Sequence, residues 1–195
     1  MSIVRTNPTR LWGGSWNDGF ALDRHTVNSI PTSDPYRWDT TYTELGQLVY
    51  ELKYRNNWGA LQSIVDTAED FIRSGWEGLP PLDLIVPAPP SFAARGAQPV
   101  VEIARELARG LGIALCENAV TKTRVTPQMK NVYNWAQRRQ TLREAIQKGP
   151  ANVQGKRMLV FDDLIQSGAT LGRVTDVLQG AGASEVYALA LTRTK

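Results

Sequence analysis

The chain reads as an α/β fold, a parallel sheet flanked by helices with an N-terminal extension, and three observations predict it. Short apolar runs alternate with helical repeats from about residue 82 onward. One of these runs, Met158-Leu159-Val160-Phe161, suits a strand buried on both faces and ends on Asp162 and Asp163. A small polar loop, Gln166-Ser167-Gly168, then leads into a helix with apolar positions Leu171, Val174, Val177 and Leu178.

Taken in order, residues 1–40 are rich in Trp, Gly, Pro and Asn and read as an extension or hood, with a strand expected from Gly19 to Val27. Residues 41–195 read as the main domain, the whole forming one globular unit. Thr41 and Glu44 make a capping-box pattern ahead of Leu45, Leu48, Val49 and Leu52, whose spacing predicts an amphipathic helix ending near Lys53-Tyr54-Arg55. Leu61, Ile64, Val65, Ala68 and Ile72 predict a second helix that stops at Gly75. The alternating part follows: strand Leu82 to Val86, helix Ala97 to Arg109 stopped by Gly110, strand Ile113 to Cys116, strand Arg157 to Phe161 with its helix, and strand Glu185 to Leu191. Between the second and third of these strands lie about 40 mostly polar residues, too many for an ordinary connection.

Composition removes several classes. With 42% hydrophobic residues the chain can bury one ordinary core, and no stretch approaches the ~20 apolar residues that span a bilayer. The opening residues lack an apolar signal core, so the cytoplasm is the expected location. Cys116 and His25 are the only residues of their kinds, which excludes an internal disulfide and a Cys/His zinc site; Cys116 reads as a strand core residue. A net charge of +3 falls short of the clustered basic footprint of a dedicated nucleic-acid binder. Around Gly155-Lys156 the next residue is Arg157 and the residue five positions upstream is Pro150, so no phosphate-binding P-loop exists.

The chemistry follows from the order of the parts. Open α/β sheets bind ligands at the carboxyl ends of their strands, which places Asp162 and Asp163 at the rim. The helix after them directs unpaired N–H groups and a positive dipole end to the same rim, where a phosphate dianion fits. Gly168 permits positive φ and close approach, and Ser167 and Thr170 add hydroxyl donors. The acids repel phosphate and suit sugar hydroxyls, so a ligand satisfying both halves is a ribose 5-phosphate.

The segment from Met158 to Thr170 resembles the signature of type I phosphoribosyltransferases, which bind phosphoribosyl pyrophosphate (PRPP). Gln166 stands where that family usually has Thr or another small residue. Val86-Pro87-Ala88-Pro89-Pro90-Ser91, followed by Arg95-Gly96, is similar to the pyrophosphate loop of the ComF family. Thr121 to Lys130, followed by Arg138 and Arg139, resembles that family's basic loop, and Lys53-Tyr54-Arg55 its Lys-Tyr run ahead of the sheet. The resemblance covers about residues 44–192. Upstream it ends, since one cysteine cannot build the Cys-rich zinc module with which ComF proteins usually begin.

The resemblance implies phosphoribosyl transfer to a nitrogenous acceptor. Asp162 and Asp163 would hold the ribose hydroxyls, Gln166, Ser167, Gly168, Ala169 and Thr170 the 5-phosphate, and Ala88, Pro89, Pro90, Ser91 and Arg95 the pyrophosphate. Lys122, Arg124 or Lys130 would close onto the departing pyrophosphate, and Lys53, Arg55 and the tryptophans Trp12, Trp16 and Trp38 are candidates for a hood. Mg²⁺ would arrive with PRPP, with no protein ligand set assigned. Each segment also has a plainer reading: a proline-stiffened turn, a solvated basic loop, and helix-end cations that stabilise the last turn by themselves. Two other functions stay open, a non-catalytic PRPP or nucleotide sensor and an accessory in DNA uptake whose basic loop touches single-stranded DNA. The acceptor is unread, and a homodimer contact is one role open to residues 1–40.

Overall fold

The computed structural model of the protein describes residues 2–34, 38–90, 98–123, 141 and 144–194. Among these, six strands form the main sheet: β1 (Thr9–Arg10), β2 (Asp18–Arg24), β5 (Leu84–Pro87), β6 (Ala114–Leu115), β9 (Arg157–Ile165) and β10 (Glu185–Arg193), in the order β1-β2-β10-β9-β5-β6. Only the β1–β2 pair is antiparallel. Two hairpins stand apart, β3 (Thr26–Pro31) with β4 (Trp38–Tyr42), and β7 (Val120–Lys122) with β8 (Ile146–Lys148). The helices are α1 (Glu44–Arg55), α2 (Leu61–Asp70), α3 (Pro99–Leu111) and α4 (Ala169–Gly180).

The predicted α/β architecture is present, a mostly parallel sheet flanked by helices. Alternation along the strands divides the core in two. Leu159 and Phe161 of β9, with Leu189 and Leu191 of β10, pack against Leu45, Val49 and Leu52 of α1, Ile64 of α2 and Ile103 and Leu107 of α3. Met158 and Val160, with Val186, Ala188 and Ala190, pack against Leu171, Val174 and Leu178 of α4 and Val120 and Ile146 of the β7–β8 hairpin. Each of the larger apolar side chains among these, fully buried, contributes about 1.5–3 kcal/mol relative to exposure.

Several boundaries differ from those the sequence predicts. Thr43, not Thr41, caps α1: its hydroxyl accepts from the Gly46 N–H at 3.0 Å and donates to the Arg24 carbonyl at 2.6 Å. Thr41 is a strand residue paired with Asn28, so the capping box formed in the sequence only. Helix α3 runs past Gly110 to Gly112, whose φ of 70° supplies the left-handed stop. Helix α2 ends in a wide turn closed by the Trp76 N–H on the Phe71 carbonyl at 2.8 Å. Strand β9 continues through the acids to Ile165 because β10 pairs with it as far as Arg193↔Ile165. Residues 9–24, read from sequence as part of the extension, supply β1 and β2, and β2 lies parallel to β10 in the main sheet.

Helix α1 meets the strands at one tight point. A Cβ added at Gly46 would lie 2.0 Å from the His25 carbonyl oxygen, a backbone atom that cannot step aside. Gly46→Ala would gain up to ~1 kcal/mol of helix propensity. Overpacking against backbone costs about 1–3 kcal/mol or more, so the expected outcome is net destabilisation with a lower melting temperature in thermal denaturation; an unchanged or raised value would contradict the close approach.

Candidate phosphosugar site

The rim forms where β9 loses one neighbour and keeps the other. On the β5 side pairing stops at Pro87↔Phe161, closed by the Ala88 N–H on the Phe161 carbonyl at 2.7 Å. On the β10 side it continues for four more residues. Asp162 and Asp163 therefore sit on a held strand whose other edge has no strand partner among the described residues. By alternation Asp162 continues the Met158–Val160 row and Asp163 the Leu159–Phe161 row.

Each acid has a cation on its own side. The Lys53 ammonium, from the last turn of α1, is 2.8 Å from Asp163 Oδ1, and Asp163 is only 6% exposed. Burial pulls the Lys53 pKa down, but the Asp163 carboxylate outweighs it and the net shift is upward. Lys122, half-buried at the end of β7, donates to the Pro90 carbonyl at 3.3 Å, and burial lowers its pKa against the opposing pull of Asp162. Burial first, and then the neighbouring Asp163, push Asp162 up to about 7, while Lys53 opposes the rise. Its Oδ1 accepts from the Asp163 N–H at 2.9 Å.

Behind Asp163 lies a buried relay that spacing alone does not reveal. The Thr192 hydroxyl donates to the Asp163 carbonyl at 3.2 Å and is 3.1 Å from His25 Nδ1, which assigns the His25 proton to Nδ1. Burial, then Lys53, lowers the His25 pKa, keeping the ring neutral. Tyr42 stands edge-on to His25 at 5.3 Å and opens a row with Tyr50 and Tyr54 along α1.

The loop after β9 follows the predicted design. Gln166 and Ser167 are exposed, Gly168 takes φ 69° as the N-cap of α4, and no side chain caps that helix. Across the cap the Gly172 N–H bonds to the Gly168 carbonyl at 2.8 Å, and the N–H groups ahead of it point out of the helix end. Ala169 and Thr170 form its first residues, half-buried.

The other candidates divide. Ala88 is buried and its N–H is committed to Phe161, while Pro89 and Pro90 have no N–H, so these three offer no backbone donor to an anion. Arg55 is exposed, with its guanidinium 5.9 Å from the Tyr50 ring. Trp12 and Trp38 are exposed, whereas Trp16 is half-buried beside α4. Ser91, Arg95, Arg124 and Lys130 lie outside the described residues, as do Arg138 and Arg139. Among the described residues no three His, Cys, Asp or Glu side chains gather as a metal cluster, and no helix is long and apolar enough to cross a membrane. An open concavity of about 590 Å³ is lined by Thr40 to Glu44 and Leu48, at the opposite end of α1 from Lys53.

Paired acids at the carboxyl end of a parallel strand, with a glycine-entered helix behind them, form the rim of this α/β protein. The chain belongs to the phosphoribosyl transferase domain family, whose profile matches residues 92–194. A candidate ribose-phosphate pyrophosphokinase 2 of Lactococcus lactis is 44% identical over 39 residues, 20% of this chain and 12% of that protein. Similar solved structures include the glutamine PRPP amidotransferase of B. subtilis, at 21% identity and a TM-score of 0.49 over 73% of this chain and 30% of that one. Another is the adenine phosphoribosyltransferase of Saccharomyces cerevisiae, at 15% identity and a TM-score of 0.47 over 84% and 83%. The chain thus spans a small part of the curated relative and under a third of the amidotransferase.

Two outcomes follow from the charges. Lys53→Met leaves Asp163 buried without its cation and is expected to cost about 2–3 kcal/mol in denaturant unfolding; an effect below ~0.5 kcal/mol would reduce the pair to a surface contact. Asp162, raised when folded, contributes stability that is fully present below its unfolded pKa and is lost as pH rises through about 7. Between pH 4 and 8 the wild type should therefore lose on the order of 2 kcal/mol relative to Asp162→Asn; parallel pH profiles would show that Asp162 is not raised.

Proposed function

We propose that the chain is a PRPP-dependent phosphoribosyltransferase of ComF-like kind, transferring ribose 5-phosphate to a nitrogenous acceptor with release of pyrophosphate. The observation that carries this reading is the pairing, on one rim, of Asp162 and Asp163 with an uncapped helix entered through Gly168. The N–H groups of Gly168 to Thr170 and the hydroxyls of Ser167 and Thr170 suit the 5-phosphate, with Gln166 at the mouth of the loop. Asp162, with its open side, suits the ribose hydroxyls as acceptor, and Lys53 pairs with Asp163 next to it. Lys122, beside the Pro90 carbonyl, is the described cation best placed for the pyrophosphate.

In the reaction the bond between ribose C1 and the pyrophosphate oxygen breaks, its electron pair leaving with pyrophosphate. The acceptor nitrogen forms the new bond to C1 and gives up a proton. The protein's part is to hold the phosphate and the ribose in line and to oppose charge on the leaving group. Oxygen-only donors such as Asp162 suit a hard cation, so Mg²⁺ brought by PRPP would be held mainly by PRPP oxygens and water, supplying further neutralisation of the pyrophosphate.

A second reading, a non-catalytic PRPP-binding regulator, is favoured by the committed Ala88 N–H and by Lys53 already occupying Asp163. Titration of PRPP with Mg²⁺ should give binding of about −8 kcal/mol, micromolar, that is lost in Asp162→Asn/Asp163→Asn. Absence of binding by the wild type would reject both readings. Binding without pyrophosphate release over a panel of bases and amines would select the regulator.

A further inference from the structure

We propose that Trp16 is a positioning residue for the phosphate loop, an inference that rests on the phosphosugar reading of that loop. Trp16 lies in residues 11–17, between β1 and β2, and this segment is tied down from several directions. The Ser15 hydroxyl donates to Asp176 of α4 at 2.7 Å, and the Gln179 side-chain amide donates to the Ser15 carbonyl at 2.8 Å. Asn17 exchanges two bonds with Val186 of β10, N–H to carbonyl at 2.7 Å and side-chain oxygen from N–H at 2.9 Å. The indole N–H donates to the Leu11 carbonyl at 3.1 Å, which fixes the ring's rotation.

The far edge of the ring meets α4 where the phosphate loop enters it. A Cβ built on Gly168 would lie 3.4 Å from Trp16 Cη2, and one on Gly172 would lie 4.0 Å from Cζ3. The indole therefore backs the residues whose N–H groups open toward the rim. The same part of the ring passes over Gly14, where a Cβ would lie 2.0 Å from Cζ3. A rigid aromatic plate set between a tied segment and a glycine of positive φ limits the conformations the loop can visit, so less order has to be gained when a phosphate arrives. Displacement of the plate would loosen the loop without removing any group that touches the ligand.

The test compares the wild type with Trp16→Ala, Trp16→Phe and Gly14→Ala, the last displacing the indole without deleting it. Calorimetric titration uses ribose 5-phosphate, with inorganic pyrophosphate as the probe of the neighbouring subsite. The expected result is about tenfold weaker ribose 5-phosphate binding in Trp16→Ala and Gly14→Ala, pyrophosphate binding within about twofold, and near-complete rescue in Trp16→Phe. Ribose 5-phosphate should also change the tryptophan emission of the wild type and leave that of Trp16→Phe unchanged, a readout that holds even where Trp16→Ala does not fold. Equal ribose 5-phosphate affinity in all variants, or equal weakening toward both ligands, overturns the positioning role. A wild type that binds no ribose 5-phosphate overturns the phosphosugar reading on which the role rests.

Discussion

Strand β9 carries the site because its two edges end at different places. Pro87 is the last β5 residue in register with Phe161, and the Ala88 N–H closes that ladder; Pro89 and Pro90 cannot extend it, having no N–H to donate. With β5 gone, the strand opens on one side at Asp162. With β10 still in register, the backbone that bears the acids stays fixed. A crevice lined by ordered carboxylates needs both conditions. A chain that released both edges together would put the acids on a loop, and one that released neither would bury them between strands.

The electrostatics are a consequence of that placement. Two adjacent carboxylates near a core repel one another and lose hydration, and the fold meets them with cations from different elements: Lys53 from the helical layer and Lys122 from the hairpin layer. The pairing is unequal. Asp163 is buried and bonded to its lysine, while among the described residues Asp162 accepts from the Asp163 N–H and feels Lys53 and Lys122 only through space. One acid is thus bonded to a cation and the other is not. His25, kept neutral under Thr192, supports the backbone of the bonded one without adding charge.

What could be read from the sequence was local. The alternation of strands and helices, the end of the apolar run at the acids and the glycine before α4 are all contained in short windows, and the structure carries them at the expected positions. Boundaries failed where a tertiary partner overrode the local signal. Thr43 caps α1 in place of Thr41 because β4 claims the latter, and β9 outlasts its apolar run because β10 does. The site contacts that were missed join residues far apart in the chain. Lys53 and Asp163 are separated by 110 positions, and His25 and Thr192 by 167, so no spacing rule connects them.

The position of β2 beside β10 has a consequence for how the chain reaches its structure. Asn17 and Val186 are 169 residues apart, yet they begin the ladder that joins the two strands. Closing so wide a loop is costly in chain entropy before any contact repays it, which assigns this pairing to the slow, late part of folding. During synthesis, β2 is made well before β10 and waits with an unpaired edge until β10 follows. Its short neighbour β1 and the polar Asp18 and Arg24 at its ends limit the strand's opportunity to pair with the wrong partner in that interval.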